Sequence, residues 1–209
     1  PHKDIFRVSN DPEEGCTRVG RSGWHIDGTF LEKPFAVQTM HFWSTNSEGS
    51  TLFAPLKELI ESLSDEERAD WEKLFFVGDS SVHPLVYPHP VTKQPTLCFH
   101  LGDSFFRCFA REFNPKQQKA EVLDPEESNE IRKRLVSLLE SPDSMLEVKW
   151  KAGDFALIDN LAVGHFASAG TQAPRHRTGL RILHRTTVSG KSVPLSLKLE
   201  KSDLGDCKA

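Results

Sequence analysis

Trp24-His25-Ile26-Asp27 near the start of the chain and Gly153-Asp154 running on to His165 carry the residue types of a metal site. Successive side chains of an extended strand alternate faces, so His25 and Asp27 project to one side while Trp24 and Ile26 pack on the other. A histidine and a carboxylate two apart on a strand, joined by a second histidine from far along the chain, make a 2-His-1-carboxylate facial triad. Such a triad binds iron on one face of an octahedron and leaves the opposite face open for chemistry. A His-x-Asp triplet alone is a common accident, and a lone histidine is more often a core or surface residue. His165 strengthens the reading because it follows Asp159-Asn160 at the end of a buried-looking strand, which brings its ring out near a sheet edge.

The downstream arginines add to it. Leu180 to Val188 reads as a strand with Arg181, Leu183, Arg185 and Thr187 on one face and Leu180, Ile182, His184 and Val188 on the other. At roughly 3.3 Å per residue the two guanidiniums stand about 13 Å apart, enough to serve two different anions. The planar fork of arginine suits a carboxylate, and an inward arginine without an anion is a costly uncompensated charge. The competing reading for each is an ion pair with a protein carboxylate.

The elements that must position these groups are mostly strands. Phe35 to Trp43 and Thr96 to His100 are rich in β-branched and aromatic residues, and Leu146, Val148 and Trp150 alternate with Glu147 and Lys149. Lys151-Ala152-Gly153-Asp154 reads as the turn into a strand over Phe155 to Ile158. Asp124-Pro125-Glu126-Glu127 supplies an N-cap and a proline at the first helical position, ahead of Ile131, Leu135, Leu138 and Leu139, for a helix ending near Glu140. Ser64-Asp65-Glu66-Glu67 opens a second helix, with a shorter one before it from about Pro55 to Leu63. Short strands with a few covering helices predict a mainly β fold with flanking helices, a double-sheet jelly roll of the cupin-like, double-stranded β-helix kind. Leu195, Leu197 and Leu199 alternate as an added edge strand would.

Length and charge bound the rest. A chain of 209 residues without an internal linker predicts a single domain over 1–209. The four cysteines, Cys16, Cys98, Cys108 and Cys207, include no closely spaced pair, which fits idle thiols in a reducing compartment. No long apolar run or signal pattern is present, so the expectation is a cytoplasmic protein with no membrane partner. Pro1 stands where a Met would, which leaves room for a natural N-terminus, with any targeting segment, further upstream. A formal charge of −4 argues against a nucleic-acid partner. Arg175, His176, Arg177, Arg181, His184 and Arg185 form the one basic cluster, readable as a single anion-binding spot or as a solvated face.

With these blocks in place the chain resembles the taurine dioxygenase family of Fe(II)- and 2-oxoglutarate-dependent oxygenases, which also holds the chlorophenoxyacetate dioxygenases. The matching blocks are residues 24–30, Gly49-Ser50-Thr51-Leu52-Phe53, His83-Pro84-Leu85-Val86 with His89-Pro90-Val91-Thr92, Gly153 to Asn160 running to His165, and Arg181-Ile182-Leu183-His184-Arg185, in family order. The resemblance implies that His25, Asp27 and His165 hold Fe(II), that Arg181 and Thr51 hold the distal carboxylate of the co-substrate 2-oxoglutarate, and that Arg185 anchors a small anionic substrate. It implies O2 as oxidant, succinate and CO2 as products, and structural parts for His83 and His89. Related halogenases replace the carboxylate ligand by a small residue; Asp27 is kept, which implies hydroxylation.

Two departures stand out. Only 24 residues precede His25, so part of the family's N-terminal segment is expected to be missing. The stretch from His165 to Arg181, 16 residues, is also longer than in taurine dioxygenase itself, so taurine is not assumed as substrate. A metal- or anion-binding jelly roll without turnover, another branch such as the butyrobetaine hydroxylases, and assembly as a homo-oligomer all stay open at this point.

Overall fold

Gln38, Met40 and Phe42 are buried while Thr39, His41 and Trp43 lie on the opposite, outer face, the period of two that a half-buried strand requires. The computed structural model describes residues 2–114 and 119–197. In chain order the elements are β1 (Phe6–Ser9), β2 (Val37–Ser44), β3 (Ser50–Pro55), α1 (Leu56–Glu61), α2 (Asp65–Trp71), β4 (Phe75–Val77), β5 (Val82–Pro84), β6 (Val86–Pro88), β7 (Pro95–Leu97), β8 (Cys108–Asn114), β9 (Lys119–Val122), α3 (Pro125–Leu139), β10 (Leu146–Lys149), β11 (Phe155–Asp159), β12 (Val163–Ala167), a 3-10 turn (Ala169–Gln172), α4 (Arg175–Thr178) and β13 (Ile182–Val188).

Two antiparallel sheets carry the architecture, one in the order β1-β13-β2-β11 and one in the order β10-β3-β12. Val8, Met40, Phe42, Ile158 and Leu183 of the first sheet share a core with Phe53, Val148 and Val163 of the second, so the sheets pack face to face. Strands distant in sequence lie side by side, as in the expected jelly roll. The other face of the second sheet is covered by Leu56, Leu59 and Ile60 of α1 and Leu135 and Leu139 of α3, packed with Trp24, Ile26, Phe99 and Leu101. Both expected helix caps form: Asp124 accepts from the Glu126 and Glu127 amides, and Ser64 from the Glu67 amide. The remaining strands form a sheet β5-β4-β8-β9 and the pair β6-β7.

Residues 24–27 insert between β12 and the segment after β7. His25 N donates to His165 O (3.1 Å) and His165 N to His25 O (2.9 Å), while Leu101 N reaches Trp24 O (2.8 Å) and Ile26 N reaches Phe99 O (3.1 Å). Trp24 and Ile26 thereby enter the core under α1 and α3.

Several expectations need correction. The last strand begins at Ile182, with a register shift between Ile182 and Leu183, so Arg181 lies ahead of it and is not one repeat before Arg185 on a regular strand face. The cause is contact with the end of β1: Asn10 accepts from Arg181 N (2.8 Å) and donates to Gly179 O (3.0 Å), and Ser9 Oγ donates to Arg181 O (2.8 Å). β11 is an edge strand with Phe155 and Leu157 exposed, not a buried one. The strand expected to reach His100 ends at Leu97, and His100 pairs with His25 through an isolated bridge. No strand forms over 189–197, and Leu199 lies outside the described residues. Among the described residues no helix is long and apolar enough to cross a membrane.

Candidate metal centre

His25, Asp27 and His165 converge. All three are buried, and one ligand atom from each lies within 4.8 Å of the other two. His25 Nε2 stands 3.9 Å from Asp27 Oδ1, and His165 Nε2 stands 3.6 Å from Asp27 Oδ2, too long for hydrogen bonds. The three groups therefore gather around a common point instead of pairing off. His25 Nδ1 lies 2.7 Å from Gly23 O, and because a carbonyl only accepts, the proton sits on Nδ1 and the lone pair on Nε2, facing Asp27. A histidine whose second nitrogen is anchored on a backbone carbonyl is the usual form of a metal ligand. Burial, with the neighbouring His165 next in weight, holds the His25 pKa well below its ordinary value and keeps the ring neutral. Burial alone would raise the Asp27 pKa, but the close His165, Arg185 and His25 outweigh it and hold the carboxyl well below the carboxylate range. Two imidazoles, that of His25 held neutral, and an ionised carboxylate match the donor set that Fe(II) takes.

Asp27 is held twice. The side-chain amide of Asn160 closes on its backbone: Oδ1 accepts from Asp27 N (2.8 Å), and Nδ2 donates to Asp27 O (2.9 Å) and Phe35 O (2.7 Å). The fully buried Asn160 thus does for this peptide what a neighbouring strand does elsewhere in a sheet. The carboxylate itself receives Arg185 Nη1 at 2.9 Å on Oδ1 and 3.0 Å on Oδ2. Arg185 lies over the Phe6 ring at 5.1 Å, and its buried Nε has no partner.

Beside the triad, Gln38 Nε2 approaches His165 Nε2 at 3.4 Å, and the His100 ring lies on the His25 ring. Burial takes the His100 pKa down to about 4, so this third imidazole is neutral.

On the inner side of the same sheets Arg181 is 3% exposed and has no carboxylate partner among the described residues. Its guanidinium lies over the Phe42 ring at 5.2 Å, Phe42 stacks on Trp150 at 4.3 Å, and Trp150 Nε1 donates to Thr51 Oγ1 at 2.9 Å. Burial lowers the Arg181 pKa to about 10, so it remains a cation at neutral pH. The Thr51 hydroxyl accepts from Trp150 and keeps its own proton to donate. A buried cation without a counter-ion and a free hydroxyl donor along one wall fit a bound carboxylate.

Residues 2–187 match the family described as "Taurine catabolism dioxygenase TauD, TfdA family". The chain belongs to the TauD/TfdA family. Among proteins of recorded activity it is 27% identical over 172 residues to 3-((Z)-2-isocyanoethenyl)-1H-indole synthase of Fischerella ambigua, covering 76% of this chain and 61% of that protein. It is 27% identical over 182 residues to an alpha-ketoglutarate-dependent sulfonate dioxygenase of Saccharomyces cerevisiae, covering 77% of this chain and 41% of that protein. The chain thus spans less than two thirds of the length of these relatives. Its fold matches that of AAD-2, solved with Mn(II) and N-oxalylglycine, with a TM-score of 0.74 at 20% identity, over 93% of this chain and 75% of that one.

In this TauD/TfdA member the basic cluster seen in the sequence disperses. Arg175 pairs with Asp11 and Arg177 with Glu48 at the surface, and His184 faces outward beside Arg7 and His41. Only Arg181 and Arg185 turn inward. His83 Nε2 donates to Thr29 O at 3.0 Å, and His89 Nδ1 accepts from the Val91 and Thr92 amides while Nε2 donates to Asp159. Both therefore tie loops together. Asn160, His100 and Gln38 carry no signal in the sequence that would mark them as parts of the site; only the position of Asn160 directly after a strand is suggestive.

Proposed function

We propose that this chain is the catalytic part of an Fe(II)- and 2-oxoglutarate-dependent dioxygenase that hydroxylates a small organic anion. The observation that carries the reading is the buried gathering of His25, Asp27 and His165, with the His25 lone pair turned toward the carboxylate, together with a buried Arg181 that has no carboxylate partner among the described residues. The alpha-ketoglutarate dependence of the yeast relative and the N-oxalylglycine held by the structural neighbour support the same co-substrate. In this reading His25, Asp27 and His165 hold Fe(II), which with 2-oxoglutarate and O2 supplies the oxidising power and yields succinate and CO2.

The residues of the chain bind, orient and exclude water. Arg181 and the Thr51 hydroxyl grip the distal carboxylate of 2-oxoglutarate through charge-assisted bonds, with Phe42 and Trp150 as the apolar wall. Asn160 fixes the Asp27 backbone, so the carboxylate presents one constant geometry. Arg185 uses one amino group on Asp27, and its remaining edge anchors the carboxylate or sulfonate of the substrate, which fixes the distance from the anchored group to the oxidised carbon. The isocyanoethenyl indole named as the product of the Fischerella ambigua relative does not favour taurine as substrate.

The test is anaerobic addition of Fe(II) and 2-oxoglutarate to the purified chain, followed by O2. The expected result is a visible charge-transfer band on anaerobic mixing and succinate release with O2. A chain that binds metal without either signal is a binding module, and the proposal falls.

A further inference from the structure

His25 is seated by a residue that the metal-binding pattern does not require. Its segment is paired on both sides, with His165 by two direct backbone bonds and with His100 by bonds through the flanking residues. Residues directly opposite one another on antiparallel strands carry their side chains on the same face. The three imidazoles therefore stand in a row, with ring centroids 4.6 Å apart from His100 to His25 and 4.3 Å apart from His25 to His165. The two contacts differ in kind. His165 is tilted 54° to His25, as two ligands converging on one point would be, whereas His100 lies within 20° of parallel. Phe105 stacks on the far face of His100 at 4.0 Å and 24°.

His100 is itself immobilised. Gly102 N donates to its Nδ1 at 3.1 Å. The turn has no slack, since a Cβ on Gly102 would lie 2.8 Å from His100 Cε1 and 2.6 Å from the Ser22 side chain. Arg132 of α3 holds the same turn through Leu101 O and Asp103. The His25 ring has one side-chain hydrogen bond, to Gly23 O, and lacks the tight turn and the Phe105 backing that hold the His100 ring. One bond fixes one atom of a ring and leaves the plane free to swivel about it; a parallel plate on one face removes that freedom.

We propose that His100, backed by Phe105, is a positioning residue for the metal centre: its ring sets the plane of His25 so that Nε2 is aimed at the common ligand point before a metal arrives. The inference rests on the metal-site reading above. It assigns a role to a neutral, non-ligating imidazole, and it makes metal affinity depend on a flat ring at position 100 more than on that ring's nitrogens.

The experiment titrates the metal-free chain with Mn(II) alone, reading free Mn(II) by electron paramagnetic resonance, for wild type, His100→Phe, His100→Gln and Phe105→Leu. Thermal unfolding of each metal-free protein shows which are folded at the titration temperature. Phenylalanine keeps the plate and loses the acceptor for Gly102 N–H; glutamine keeps an acceptor and loses the plate. His100→Phe is expected within about threefold of wild type and His100→Gln about tenfold or more weaker, the range that supporting contacts around a metal ligand command. Phe105→Leu, which leaves every polar group in place, weakens binding in the same direction and carries the test should His100→Gln not fold. Folded variants that all bind Mn(II) like wild type, or a His100→Phe protein as weak as His100→Gln, overturn the proposal. A folded wild type that takes up no Mn(II) removes the metal centre, and this inference with it.

Discussion

Replacing Arg181 by methionine is expected to stabilise the metal-free chain while removing its hold on 2-oxoglutarate. Arg181 is 3% exposed, no carboxylate of the described residues pairs with it, and its Nε has no hydrogen-bond partner. Burial lowers its pKa from 12.5 to about 10. At 1.36 kcal/mol per pH unit, the charged form gives up about 3 kcal/mol on folding. Because the folded pKa lies below the unfolded one, the unfolded chain holds this proton more tightly. The whole penalty therefore applies at neutral pH, and it shrinks only as pH rises through about 10. Methionine has similar length and no charge; it removes the penalty and forfeits the cation–π contact with Phe42, worth about 0.5–2 kcal/mol. The net gain is about 1–3 kcal/mol, which at roughly 2–4 °C per kcal/mol in a chain of this size is a readily measured rise in Tm.

In the proposed function the same substitution removes two charge-assisted hydrogen bonds to the co-substrate, each worth about 1.5–3 kcal/mol, so affinity is expected to fall by at least about 100-fold. Calorimetric titration of the Mn(II)-loaded chain with 2-oxoglutarate reads the affinity, and thermal unfolding with and without both ligands reads the stability. Wild type gains Tm from 2-oxoglutarate, and Arg181→Met does not. A lysine at this position recovers part of the affinity, since a point charge cannot reproduce the fork. A methionine variant that unfolds below wild type without ligands, or that keeps wild-type affinity, refutes the reasoning.

Asn160→Leu strips the Asp27 amide, the Asp27 carbonyl and the Phe35 carbonyl of buried partners, and at about 1–3 kcal/mol per orphaned group it lowers stability by several kcal/mol in urea denaturation and weakens Mn(II) binding in parallel. His83 is kept neutral chiefly by burial, against the pull of the Thr29 carbonyl, so its folded pKa lies below the ordinary 6.5; stability is intact above that value and is lost as pH falls below it. His83→Gln flattens the fall of the denaturation midpoint between about pH 7 and 5. Asp124→Ala removes both cap bonds of α3, each 2.9 Å, and costs about 1 kcal/mol with no change in metal affinity.

Those parts of the fold that depend on neighbours in sequence were legible. The alternation over 37–44 and the caps at Ser64 and Asp124 follow from a period of two or from turn chemistry within four residues; the strand expected to carry His25 and Asp27 does not form, since His25 sits at an isolated bridge and Asp27 in the turn that follows it. What long-range pairing decides was not legible. The slip that carries Arg181 out of β13 is made by Ser9 and Asn10, more than 170 residues earlier. The two-sided pairing that brings His100 onto His25 depends on the segment after β7 meeting residues 24–27, and no pattern in either stretch announces it. Asn160 is a polar residue after a strand, like many others, until the Asp27 peptide lies against it. The basic cluster was ambiguous for the same reason: adjacency in sequence put Arg175, Arg177 and His184 together, while the fold pairs Arg175 with Asp11 and Arg177 with Glu48 and sets His184 beside Arg7.

The two inward arginines show how far charge counting reaches. An arginine facing a core requires an anion, and that rule holds for both. For Arg185 the protein supplies one, the Asp27 carboxylate of the metal triad. For Arg181 it supplies none among the described residues, and the guanidinium lies over the Phe42 ring. The structure pairs the charge of Arg185 with Asp27 and leaves that of Arg181, four residues before it, without a carboxylate among the described residues. Arg181 lies on the wall shared by Phe42, Trp150 and the hydroxyl of Thr51, where the co-substrate carboxylate of the proposed function would supply the missing charge.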